Sequence, residues 1–268
     1  MSMEKFLAID RVAFKVGNFE IYWYGLIICF AVVVAVLVAT LFCKARKYNT
    51  EIPLNIALVI LPTGILAARL FAVLFDDGLT LSDYFNFRTG GMSIIGAVIG
   101  GGLGLLMYCL ITRETDKMKY FDTLTVVLIL AQAIGRWGNF FNGEVYGQVI
   151  DSSSVFAMFP FAVKIENVYY QALFFYECVL NLIAFGILAW IYLKEKKCGY
   201  VTGGYLVLYG MIRTGLEMLR QNTYILRFGG MPISLICSVL MIVLGVGILI
   251  YTKMKNNNIV GVRNEQKK

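Results

Sequence analysis

The sequence predicts an all-α polytopic membrane protein: seven transmembrane helices, N-terminus outside and C-terminus inside, with a small extracytoplasmic head or lid. Three observations carry that expectation. Of 268 residues, 59% are apolar and 15% charged, and the mean hydropathy is +0.73, whereas soluble domains carry about 25% charge. Seven stretches approach the ~20 apolar residues that cross a bilayer. Lysine and arginine also gather in alternate connections, so the spans have a direction.

The stretches are 21–43, 52–75, 90–112, 122–136, 168–193, 201–220 and 231–252, the fourth being the shortest. The first is uncharged over Ile21–Phe42 and lacks a small-residue cleavage site, so it reads as a retained helix. The 44–51, 113–119 and 194–197 connections and the tail after 252 hold fourteen Lys and Arg; the opposite side holds seven. The positive-inside rule then places the tail in the cytoplasm. The net charge of +7 is this topological signal plus attraction to anionic lipid, not a nucleic-acid footprint.

Gly96, Gly100 and Gly104 recur at four-residue spacing in the third span, which lets a neighbouring backbone come close. A second reading has Gly90-Gly91-Met92-Ser93 opening that helix toward an anion. The six cysteines are scattered without a Cys-x-x-Cys pair and read as small apolar side chains. There is no histidine, and no metal or cofactor site is expected. Positions 137–167 make a long, aromatic-rich connection, which favours a lid or head over disorder. One domain, 1–268, accounts for the chain.

Polar chemistry concentrates at residues 135–147, Gly-Arg-Trp-Gly-Asn-Phe-Phe-Asn-Gly-Glu-Val-Tyr-Gly. Six ionisable groups, Arg69, Arg136, Glu144, Glu177, Arg213 and Glu217, fall within spans or at their ends. Each costs about 2.5–3.5 kcal/mol at a helix centre, so they must face a bundle interior and find partners. Mutual neutralisation is one reading. Convergence of most of them on the outer half favours a shared cavity, joined by Tyr24, Asn181 and Arg220. Arginines at headgroup depth suit a phosphate, whose oxygens they grip bidentately. The residues alone point to an enzyme or carrier acting on anionic lipid.

The run Gly135–Gly147 closely resembles the signature of the bacterial prolipoprotein diacylglyceryl transferases. Further matches follow in order: Tyr22-Trp23-Tyr24-Gly25, Arg69, Gly90-Gly91-Met92-Ser93, Phe175-Tyr176-Glu177 and Tyr209-Gly210-Met211-Ile212-Arg213 with Glu217 and Arg220. The resemblance implies a multi-pass enzyme of the bacterial cytoplasmic membrane. It would move the diacylglyceryl group of phosphatidylglycerol onto the lipobox cysteine of a prolipoprotein signal peptide, releasing glycerol phosphate. It further implies that Arg136 and Arg213 hold the phosphate, with Glu217 orienting Arg213. Asn139, Asn142 and Glu144 would position the headgroup, while Tyr24 reaches the phosphate or the thiol; Gly147, Arg69, Glu177 and Arg220 would complete the substrate site.

Two departures stand out. Many family members carry histidine, others tyrosine, two residues after the serine of the Gly-Gly-Met-Ser-like stretch, where this chain has Ile95. The thiol proton would then pass to Glu144, Tyr24 or water. Asn222 and Met231-Pro232 replace an aspartate and a glutamine common in the family. A paralogue with another acceptor, and a non-catalytic carrier of anionic lipid or solute, are the alternatives; the carrier lacks a charged path through the cytoplasmic half.

Overall fold

The computed structural model describes residues 10–17, 19–75, 78–86, 91–112, 117–165, 167–195, 197–221, 227–228 and 230–265; Gly90 and Asn222 lie outside them. Seven helices run through the described residues: α1 (Trp23–Ala45), α2 (Ile52–Phe75), α3 (Ile94–Ile111), α4 (Met118–Asn142), α5 (Leu173–Lys194), α6 (Tyr200–Glu217) and α7 (Ile233–Glu265). All but α6 are long and apolar enough to cross a membrane by length and composition. The protein is a mostly helical, multi-pass membrane protein.

The fourth span is the clearest difference from the sequence expectation. It covers 25 residues rather than fifteen, because Arg136, Asn139 and Asn142 are helical yet lower the local hydropathy. The first half of the polar signature is therefore helix, and the connection that follows begins at Gly143. Small strands add to the helices. β1 (Val12–Val16) and β2 (Phe19–Tyr22) form a hairpin that runs directly into α1. β3 (Val149–Ile150), β4 (Ala162–Ile165) and β5 (Val168–Gln171) form an antiparallel sheet with β5 central. β6 (Arg227–Phe228) pairs with β7 (Met231–Pro232) just before α7.

The chain divides into two compact units, 40–117 and the remainder. Within 40–117, α3 lays its glycine stripe against α2. A Cβ on Gly96 would lie 2.5 Å from the Ala67 carbonyl oxygen, and one on Gly100 would strike Ala67 and Thr63. Small residues permit such approach where no hydrophobic force distinguishes helix from lipid. Ser93 caps α3, its side chain accepting from the Gly96 amide at 3.4 Å. Arg69 is fully buried. Its guanidinium donates to the main-chain carbonyls of Asp83 (2.7 and 3.2 Å), Asn86 (2.7 Å) and Gly91 (2.8 Å), tying down the turn between α2 and α3.

In the larger unit, α5 packs between α4 and α6, and α7 packs along α6. Tyr24 of α1 abuts Gly138 of α4, where a Cβ would lie 2.6 Å from the ring. Asp122, fully buried at the start of α4, accepts from the Gly199 amide (2.7 Å), the Thr202 amide (2.9 Å) and the Thr202 hydroxyl (2.5 Å). A carboxylate on a neighbouring helix thus serves the orphan amides of the α6 N-terminus and complements its dipole. The sheet rests on Tyr146, Val163, Ala172 and Phe174, with Trp137, Phe140 and Phe175 packed around them. Aromatic rings thereby fasten the head to the ends of α4 and α5.

Replacing Gly100 with leucine forces α2 and α3 apart. Overpacking costs about 1–3 kcal/mol, so the purified variant is expected to melt at lower temperature than the wild type while retaining its helical circular dichroism.

Candidate functional site

The α4 register puts Arg136 and Asn139 on adjacent turns of one face. Arg136 donates to Glu177 Oε1 of α5 at 2.6 Å. Glu177, only 3% exposed, also takes Arg213 of α6 through Oε2 at 2.9 Å. One carboxylate therefore bridges the guanidinium of the signature run and that of the sixth helix. Tyr209 adds a long contact, 3.5 Å, from its hydroxyl to Glu177 Oε1. One turn further along α5, Asn181 is fully buried and neither amide atom finds a partner among the described residues.

A second layer surrounds Glu217. Its Oε2 receives the Ser234 hydroxyl of α7 at 2.9 Å, and faces Arg213 at 3.6 Å and Arg220 at 3.5 Å. The Ser234 oxygen in turn accepts from Arg213 at 3.3 Å. Glu217 Oε1 is buried and accepts no hydrogen bond from any described residue.

The other half of the signature closes over this cluster. Asn139 accepts from Arg136 at 3.4 Å and donates to Glu144 Oε1 at 3.0 Å; Asn142 donates to the same oxygen at 3.3 Å. Glu144 is thus folded back onto the end of α4, helped by left-handed backbone at Gly143 (φ 66°). Gly147 pairs with Arg220 as an isolated antiparallel bridge. A Cβ there would lie 2.6 Å from the Gln171 side chain and 3.0 Å from the Leu219 carbonyl oxygen, so only glycine lets the signature reach the end of α6.

Arg136, Asn139, Glu177, Arg213, Glu217 and Arg220 line one hollow, floored by Leu173, Phe174 and Leu216. Its volume is about 10 Å³, room for one water. Three arginines against two glutamates leave it one net positive charge. Such a site is matched by a monoanion whose oxygens replace Glu177 on one guanidinium or both. Nearby, Trp23, Leu26, Ile27, Phe30, Ile134, Trp137 and Phe141 line an apolar hollow of about 410 Å³ between α1 and α4, which Tyr24 adjoins at Gly138.

Of the residues singled out from sequence, Arg136, Asn139, Glu177, Arg213, Glu217 and Arg220 meet at this hollow, and Asn142, Glu144 and Gly147 support it. Arg69 belongs to the other unit, and its four carbonyl bonds hold a turn. Ile95 and the six cysteines contribute no group to the hollow's lining. Sequence reasoning passed over Ser234, an ordinary hydroxyl at a span start, and Asp122, an acid at the edge of an apolar run. The described residues contain no cluster of three or more metal-ligating side chains.

Cutting back Glu177, itself buried, to alanine strands two part-buried guanidiniums. Breaking a buried pair in this way costs about 3–5 kcal/mol, so Glu177→Ala is expected to unfold at markedly lower temperature in detergent, whereas Lys15→Ala, whose partner Glu20 is on the exposed β-hairpin, changes the melt little.

Known proteins resemble this chain over most of its length. The family model for prolipoprotein diacylglyceryl transferase matches residues 11–251. A phosphatidylglycerol–prolipoprotein diacylglyceryl transferase of Clostridium kluyveri (strain ATCC 8527) is 34% identical over 258 residues, covering 94% of this chain and 100% of the relative. The protein of the same name from Clostridium botulinum strain 657 is 37% identical over 254 residues, 92% of this chain and 100% of its own. That of strain Langeland is 36% identical over 245 residues, covering 89% and 95%.

Proposed function

The chain belongs to the prolipoprotein diacylglyceryl transferase family, and from that premise we propose that its two substrates meet at the Arg136–Glu177–Arg213 bridge. The enzyme transfers the diacylglyceryl group of phosphatidylglycerol to a prolipoprotein. The acceptor is the thiol of the lipobox cysteine, the bond made is a thioether, and glycerol phosphate departs. The observation that carries this assignment of the site is that two guanidiniums from different helices share one carboxylate at the edge of one hollow.

The phosphodiester displaces Glu177 from Arg136 and Arg213, which then stabilise the charge that grows on the departing phosphate. Prepositioned charge of this kind is usually the largest catalytic contribution. Glu217 and Ser234 aim Arg213, and Arg220 adds a third cation. Asn139, Asn142 and Glu144 present carboxamide and carboxylate groups to the glycerol hydroxyls. Gly147 keeps the signature against the end of α6, and Tyr24 stands beside α4 where the acyl and peptide chains enter. Arg69 contributes by shaping the turn that precedes α3. No cofactor enters the scheme, because the nucleophile comes with the acceptor.

The site needs a membrane frame. We assign seven spans in one domain of the bacterial cytoplasmic membrane, N-terminus outside. The seventh is α6, whose 18 residues reach about 27 Å at 1.5 Å per residue. Its Arg213 and Glu217 depress its hydropathy but are compensated inside the bundle. This orientation puts the head and the hollow toward the outer leaflet.

With phosphatidylglycerol vesicles and a lipobox peptide, thioether product is followed by mass spectrometry. Arg136→Ala and Arg213→Ala are each expected to lower the rate by about 10²–10³; wild-type rates from both would remove the proposed site. A fluorescent protein that matures only in the cytoplasm, fused after Lys268, is expected to glow, and a dark fusion would reverse the orientation.

A further inference from the structure

The transfer releases a proton from the acceptor thiol, and this chain has no histidine to take it. We propose that Glu217, through its free Oε1, is the general base that accepts the thiol proton. The inference rests on the transferase reading.

Two carboxylates line the hollow, Glu177 and Glu217. Both oxygens of Glu177 are engaged, at 2.6 Å by Arg136 and at 2.9 Å by Arg213. Glu217 is different. Among the described residues Ser234 is the one close donor to its Oε2, at 2.9 Å; the guanidiniums of Arg213 and Arg220 stand off at 3.6 and 3.5 Å. Its charge is therefore not locked into a tight ion pair. Its Oε1 is buried, with 6% of the residue exposed, and no described residue donates to it. A buried acceptor that no protein group satisfies is expensive, so this oxygen is suited to a donor that arrives with a substrate. Glu144, by contrast, is not part of the lining, and its Oε1 already accepts from Asn139 and Asn142.

The chemistry balances around that oxygen. The S–H proton moves to Glu217 Oε1 as the sulfur lone pair forms a bond to the terminal glyceryl carbon. The bond from that carbon to the phosphate oxygen breaks, and its electron pair stays on the oxygen. Glu217 then returns the proton to the departing phosphate, so glycerol phosphate leaves as a monoanion and the carboxylate is restored. That charge state suits the hollow. Its single net positive charge (three arginines, two glutamates) matches a monoanion both before and after transfer. A free thiol is only a few per cent ionised at pH 7, so a positioned base has work to do, typically about 10²–10⁴ in rate.

The test compares two lipobox peptides, one with cysteine and one with selenocysteine, whose selenol is ionised at neutral pH and needs no base. Full-length Glu217→Gln in phosphatidylglycerol vesicles is expected to lose at least 100-fold on the cysteine peptide and to come within about tenfold of wild type on the selenocysteine peptide. Glu217→Asp, which keeps the charge but draws the oxygen back, is expected to show the same split in weaker form. The wild type itself should show a solvent deuterium isotope effect with cysteine that vanishes with selenocysteine. Equal losses on both peptides, or a raised KM for phosphatidylglycerol as the main defect, would make Glu217 a positioning or headgroup residue and overturn the proposal. So would an unimpaired Gln variant or equal isotope effects. If wild type made no thioether from either peptide, the transferase reading itself would fall.

Discussion

Two guanidiniums cannot stay side by side in a medium of low dielectric constant unless an anion lies between them. At 4 Å, like unit charges repel by about 4 kcal/mol even at an effective dielectric constant of 20. Glu177 is that anion, and its contacts of 2.6 and 2.9 Å set where Arg136 on α4 and Arg213 on α6 can be. Three helices are thereby held in one register at the depth where the polar signature starts. The rest of the site hangs from this bridge: Asn139 leans on Arg136, Glu144 folds back onto Asn139, and Ser234 reaches Arg213 from α7. On the proposed scheme the same bridge would admit an anionic lipid, because a phosphate replaces a carboxylate charge for charge.

Much of this was readable in the chain because charge is conspicuous in an apolar run. Arg136, Glu177, Arg213 and Glu217 had no solvent to turn to, so their convergence followed from desolvation alone. Physical reasons also explain what was not readable. The extent of α4 was hidden because Arg136, Asn139 and Asn142 find their partners in Glu177 and Glu144, beyond the helix, while a hydropathy window sees only polar residues. The strands of the head are two to four residues long, shorter than any alternation that could be distinguished from loop. Arg69 shows the limit of inference from charge. Its burial was foreseeable, but its partners are main-chain carbonyls, and carbonyls leave no mark in a sequence. Ser234 became visible only once α7 was laid against α6.

The helix that carries Arg213 and Glu217 is fastened at both ends. Asp122 takes up the amides at its start, and the bridge between Gly147 and Arg220 meets its end. The signature and the end of the sixth helix are therefore joined directly, although some fifty residues of chain lie between the two segments.

The hollow at the centre has a cost-free benefit that its small size alone confers. A space of about 10 Å³ admits a single water, hemmed in by side chains that already hold one another. Water is the commonest rival to any nucleophile that attacks an activated lipid, and in bulk it would outnumber a peptide thiol many-fold. On the proposed scheme, arginines kept closed on Glu177 until a phosphate pries them apart would leave no stream of solvent at the reacting carbon. The membrane's own lipid would thus be spared from wasteful hydrolysis by the absence of room.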